Sequence, residues 1–136
     1  MSGREPLEPE QRGEGVLWLE RATEDAAVAT LLVQEEYALP AAFHTQQALE
    51  KLLKALLVAA GQDIRRTHDL DALATQARQF WPTVIHIPFP LVNINHWYLP
   101  SRYPDTEEAL PSLTEIADAL QEITALLATI KAAIHQ

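Results

Sequence analysis

Six apolar side chains near the end of the chain, Ile116, Leu120, Ile123, Leu127, Ile130 and Ile134, step by 4, 3, 4, 3 and 4 residues. A helix turns that spacing into one continuous stripe, because 3.6 residues complete each turn. Ser112 and Glu115 stand just ahead of the stripe at capping-box spacing. Together they predict a helix over about 112–134. A chain committed to so long an amphipathic rod must supply other rods to cover it.

Three further segments meet that need. Leu19, Ala22, Ala26, Ala29 and Val33 step by three and four, which predicts a helix over about 15–37 with Trp18 near its start. Pro40 suits the first turn of a second helix, since its missing N–H is not needed there. Leu49, Leu52, Leu53, Leu56, Leu57 and Ala60 give that helix a broad apolar face, and Gly61 supplies its stop. Its range is about 40–60. Thr67 is the expected cap of a third helix over 67–80, with Leu70, Leu73, Ala74 and Ala77 facing inward. Pro82 ends it by disfavouring helical geometry at Trp81.

Residues 81–104 hold five of the nine prolines. Proline cannot donate to a sheet ladder, so the segment reads as a long ordered loop held by Phe89, Trp97, Tyr98 and Tyr103. A short extra helix fits between Pro90 and Leu99. No strand signal and no internal repeat occurs. The expected architecture is therefore all-α, an up-and-down four-helix bundle. The stripe at 112–134 and the broad face at 40–60 offer more apolar surface than one such core needs, so a homodimer through a helix face is expected.

The 136 residues suit one domain. Met1 to Glu14 mixes prolines, glycines and charges without periodicity and reads as a flexible acidic tail, leaving 15–136 as the helical domain. That acidic start is unlike a secretory signal, and no apolar run approaches the ~20 residues that cross a bilayer. The absence of cysteine excludes disulfides, thiolate metal sites and a cysteine nucleophile, and suits the reducing cytoplasm.

The net charge of −9 argues against a broad grip on nucleic acid. It is unevenly spread. Residues 1–36 carry nine acids and three bases, 37–80 four acids and five bases, and 81–136 six acids and two bases. The middle third alone offers a local positive field. On its helix, His44, Gln47, Lys51 and Lys54 fall within about 80° of one another, opposite the leucines. Such a ridge is either a solvated face or a phosphate contact. Gln46 lies nearer the apolar side and must find hydrogen bonds there, from the loop before helix 3 or from a dimer mate.

Thr67-His68-Asp69-Leu70 opens the third helix, with His68 and Asp69 placed in its first turn, where free N–H groups favour anions. Arg102 is the only base between residues 79 and 130. It can staple neighbouring acids or fork onto a phosphate. His44, His68, His86, His96 and His135 show no metal-ligand spacing, so no metal and no cofactor is expected. Ser101 lacks a nucleophile-elbow context and there is no glycine-rich phosphate loop.

These segments resemble one family. Phe43-His44-Thr45-Gln46-Gln47-Ala48-Leu49-Glu50-Lys51-Leu52-Leu53-Lys54-Ala55 is similar to the F-x-x-Q-Q-A-x-E-K-x-x-K-A helix of HEPN domains. Thr67-His68-Asp69-Leu70 and Tyr98 with Arg102-Tyr103-Pro104-Asp105 resemble the T-H-D-L and Y-x-x-x-R-Y-P-D segments that follow it. The likeness covers about residues 16–134. It implies a helical bundle, often dimeric, encoded beside or fused to a minimal nucleotidyltransferase.

Some members of that family are metal-independent RNases of toxin–antitoxin systems, with an R-x(4–6)-H motif in which arginine polarises phosphate and histidine moves the proton. Here Arg102 is followed by Tyr103 to Leu110 without a histidine, and the next is His135. The resemblance therefore implies no catalytic residue. It implies a nucleotide-binding or accessory protein that pairs with a nucleotidyltransferase-domain partner. Lys51, Lys54, His68 and Arg102 would lie on the phosphate side, Tyr98 and Tyr103 against the base. Gln46, Gln47, Glu50, Asp69 and Asp105 would organise packing. An RNase toxin with an altered site and a plain dimerisation or adaptor module are the alternatives.

Overall fold

The computed structural model describes residues 9–63, 69–82, 94, 97 and 111–134. Among them are four helices and no strand: α1 (Pro9–Gln34), α2 (Ala38–Ala59), α3 (Leu70–Phe80) and α4 (Leu113–Ile134). They form the all-α, up-and-down four-helix bundle that the periodicities predict.

α1 starts at Pro9 rather than near Gly15, so residues 9–14 of the expected tail are helical. Proline at a first helical position loses nothing there, and Glu10 in the first turn suits the dipole. Gly15 also has a packing role that keeps this stretch on the bundle. A Cβ placed on it would stand 3.2 Å from the Ala59 Cβ and 3.4 Å from the Ala55 carbonyl oxygen. α1 ends at Gln34, short of the expected Tyr37. Glu36 turns left-handed there, with φ 63°. The Tyr37 N–H donates to the Leu32 carbonyl at 2.8 Å and the Glu36 N–H to Val33 at 3.0 Å, which is a Schellman stop. α2 ends with the same device, this time on glycine. Gly61 has φ 77°, and Gln62 and Gly61 donate to Leu57 and Val58, each at 2.9 Å.

α3 starts three residues later than predicted. Asp69, not Thr67, is its N-cap, and its carboxylate accepts from the N–H groups of Asp71 at 3.1 Å and Ala72 at 3.2 Å. A carboxylate that bonds two free amides and faces the positive helix end is a strong stop to the preceding chain. Trp81 closes α3 as expected before Pro82. Its indole N–H donates to the Leu56 carbonyl at 2.8 Å, which ties the end of α3 to α2. The capping box of α4 is formed in both directions: Glu115 N–H to Ser112 Oγ at 3.0 Å, and Ser112 N–H to Glu115 Oε1 at 3.1 Å.

α2 is the central rod and packs against α1, α3 and α4, while α1 also packs against α4. One apolar cluster runs through all four, including Leu19, Leu53, Leu56, Leu73, Ile116, Ile123 and Ile130. Ile94 and Trp97 join it, with the Trp97 N–H bonded to the Ile94 carbonyl at 3.0 Å. The rest of the expected short helix, and Phe89, Tyr98 and Tyr103, lie outside the described residues.

Candidate functional site

The polar ridge of α2 is only partly open to solvent, because Asp25 and Trp18 of α1 reach its His44, Lys51 and Lys54. Two polar clusters result.

The first centres on Asp25 of α1. One of its carboxylate oxygens is 2.9 Å from His44 Nδ1, and the other accepts from Lys51 Nζ at 2.5 Å. Asp25 is buried, while His44 and Lys51 are partly exposed. The Phe43 ring stands edge-on to the imidazole with centroids 5.3 Å apart. With Nδ1 held by the carboxylate, the imidazole is fixed in orientation, and Nε2 is its other nitrogen.

The second cluster lies one turn further along. Lys54 Nζ donates to Glu50 Oε2 at 2.8 Å, with side-chain exposures of only 11% and 4%. The same ammonium sits 5.7 Å from the centroid of the Trp18 ring, a cation–π contact within a largely desolvated setting. Gln46 Nε2 donates to Glu50 Oε1 at 3.4 Å, and Gln47 Nε2 donates to Gln46 Oε1 at 2.7 Å. The buried Gln46 finds these two partners along its own helix.

Chemically, the clusters consist of compensated charges. Asp25 is shared by one ammonium and one imidazole, and Glu50 faces the other ammonium. A phosphate arriving at Lys54 would have to displace Glu50 and expose the Trp18 face. Burying an ammonium requires such compensation, since an isolated ion in the interior costs several kcal/mol.

Lys51 and Lys54 are thus brought, with His44, to the α1–α2 seam, while Gln46, Gln47 and Glu50 bond along α2 itself. Asp69 stands apart from it in sequence, as the cap of α3. His68, Tyr98, Arg102, Tyr103 and Asp105 lie outside the described residues. Sequence reasoning missed Asp25 and Trp18. A signal was present: at 100° per residue both fall on the same side of α1 as Ala22 and Ala29. An acid on an apolar face needs a cation opposite it.

A bundle with this Gln-Gln-Glu-Lys ridge can be set beside known proteins. The HEPN domain model matches residues 16–133. The chain belongs to the HEPN domain family. A relative in Methanocaldococcus jannaschii, named "Putative toxin MJ1304", is 28% identical over 116 residues, which cover 79% of this chain and 72% of the relative. The crystal structure of TT1696 from Thermus thermophilus superposes with a TM-score of 0.65 at 25% identity, over 88% of this chain and 97% of that one. ST0689, described as an archaeal HEPN homologue, gives a TM-score of 0.62 at 23% identity, over 89% and 98%. The last two agree with the HEPN bundle described above. No helix among the described residues is long and apolar enough to cross a membrane.

Proposed function

We propose that this HEPN protein is the accessory member of a toxin–antitoxin-type pair, working through contact with a nucleotidyltransferase-domain protein and not by cleaving RNA. The observation that carries the reading is the compensation of both ridge ammonium groups: Lys51 by Asp25 and Lys54 by Glu50. In this reading the ridge braces α1 against α2 and receives no substrate phosphate. Any nucleotide contact then falls to His68, Arg102, Tyr98 and Tyr103. The absence of a histidine within six residues after Arg102 removes the proton carrier that RNase chemistry needs. The name of the archaeal relative supports the toxin–antitoxin setting.

The test combines two measurements. Co-expression with a minimal nucleotidyltransferase encoded beside this protein is expected to yield a stable complex. Purified protein incubated with RNA is expected to leave it intact. RNA cleavage that disappears in Arg102→Ala would replace this reading with the altered RNase toxin, the alternative that the relative's name also favours. Calorimetry with ATP and GTP separates nucleotide binding from a plain adaptor. Heat lost in Arg102→Ala but kept in Lys51→Met is the expected pattern for a bound nucleotide.

A further inference from the structure

On the other flank of α1, about 160° round the helix from Asp25, a shallow groove runs between α1 and α4. Thr23, Ala27, Thr30 and Gln34 step by 4, 3 and 4 along one wall, and Gln121, Thr124 and Ala128 step by 3 and 4 along the other. The walls run antiparallel, since Thr23 shares its end of the groove with Lys131 and Gln34 shares the other with Ala117. From Thr23 to Gln34 the groove is about 16 Å long, three turns of helix.

Three properties define what fits it. Ala27, Thr30, Thr124 and Ala128 keep the middle of the walls short, so a third rod can approach closely there. Two of its hydroxyls are already engaged: Thr23 and Thr30 donate to the Leu19 and Ala26 carbonyls, each at 2.9 Å. Finally, the rims are acidic. Glu20 and Glu24 flank the α1 wall beside Leu31, which is 60% exposed, and Asp118 lines the α4 side. Lys131 is the one base lining it among the described residues.

We infer that this groove docks a basic amphipathic helix of a partner protein, with an Ala/Leu ridge seated between the walls and Lys or Arg on both flanks. A second copy of the chain fits poorly, because it would set acidic rims against each other in a molecule of net charge −9. The groove and the acids call instead for a cationic helix whose apolar ridge matches the 4-3-4 walls, the mode by which amphipathic helices fill grooves. This inference is independent of the function proposed above, since it uses none of the residues of the two polar clusters between α1 and α2.

The experiment titrates the full chain into three fluorescein-labelled helical peptides of about five turns: a Lys-flanked Ala/Leu ridge, a scramble of equal charge with the ridge broken, and the same ridge flanked by Glu. The ridge peptide is expected to bind at least tenfold tighter than either of the others, with affinity falling as salt rises. The uncharged blocks Thr124→Trp and Ala27→Trp, on opposite walls, are each expected to weaken it tenfold or more with the thermal unfolding curve unchanged. If one fails to fold, the other decides. Equal binding of the scramble would reduce the effect to net charge and overturn the inference. Equal or tighter binding of the Glu-flanked ridge, or a chain dimer by light scattering that Thr124→Trp splits, would also overturn it.

Discussion

The two long sides of α2 solve the same problem with different chemistry. Toward α3 and α4 the helix presents hydrocarbon, Leu49, Leu52, Leu53 and Leu56, joined to Leu73, Ile116 and Ile123 in one cluster. Its polar side carries Gln46, Gln47, Glu50, Lys51 and Lys54, most of them buried, and His44, Lys51 and Lys54 reach across to α1. Hydrocarbon contact is strong but non-directional, roughly 25 cal/mol for each Å² removed from water. It tolerates sliding if volume is conserved. The polar side gains less net energy, because desolvation offsets most of the attraction. It is directional, however. Asp25 meets Lys51 and His44 while Trp18 meets Lys54, and a slide of one turn, about 5.4 Å, breaks all of these together. One side holds the bundle shut; the other sets how α1 lies on α2.

The comparison is broken most severely at Glu50. Glu50→Ala strands the Lys54 ammonium in a site where that side chain is only 11% exposed, and is expected to cost about 3–5 kcal/mol. The double variant Glu50→Leu/Lys54→Met is expected to return to near the parental midpoint in urea unfolding, since a well-packed apolar pair can replace a buried ion pair. A double variant as unstable as the single one would mean that the polar side contributes stability as well as register.

On the hydrocarbon side, Ile123→Ala removes a fully buried side chain of α4 and is expected to cost about 3 kcal/mol, through lost transfer energy and a cavity. A shift under about 1 kcal/mol in the same unfolding assay would show that this face collapses around the gap. The smallest effect is expected at Asp25. His44 and Lys51 are 31% and 27% exposed, so water can take over part of their compensation. Asp25→Ala is expected to cost about 1 kcal/mol. Its sharper readout is register: the Trp18 fluorescence spectrum should shift if α1 moves on α2. A spectrum like the parent's beside an equal stability loss would deny Asp25 the aligning role.

Much of the bundle was legible along the chain. The Ile116-to-Ile134 stripe, the capping box at Ser112 and Glu115, and the Gly61 stop are local signals. Each is decided by residues within one or two turns, and local hydrogen bonding sufficed to form them. The misses share a different origin. Thr67 lost the cap of α3 to Asp69, whose carboxylate accepts two amides at once. α1 ran past its expected start because Gly15 packs on Ala59, a neighbour far along the chain. It stopped early because Glu36 accepted a left-handed turn more usual for glycine or asparagine. Within the candidate site, the Gln-Gln-Glu-Lys ridge was visible, but its direction was not. A wheel places Lys51 and Lys54 opposite the leucines and leaves unsaid whether a fourth rod lies there.

The order of polar and apolar residues alone determined that this chain makes four amphipathic rods and where most of them stop, because helix periodicity and capping act over a few residues. Packing decided the rest. Only when α1 lay across α2 did Asp25 and Trp18 reach Lys51 and Lys54. Charge compensation depends on distance through space, and residues 18 and 25 are remote in sequence from residues 51 and 54 until the bundle closes.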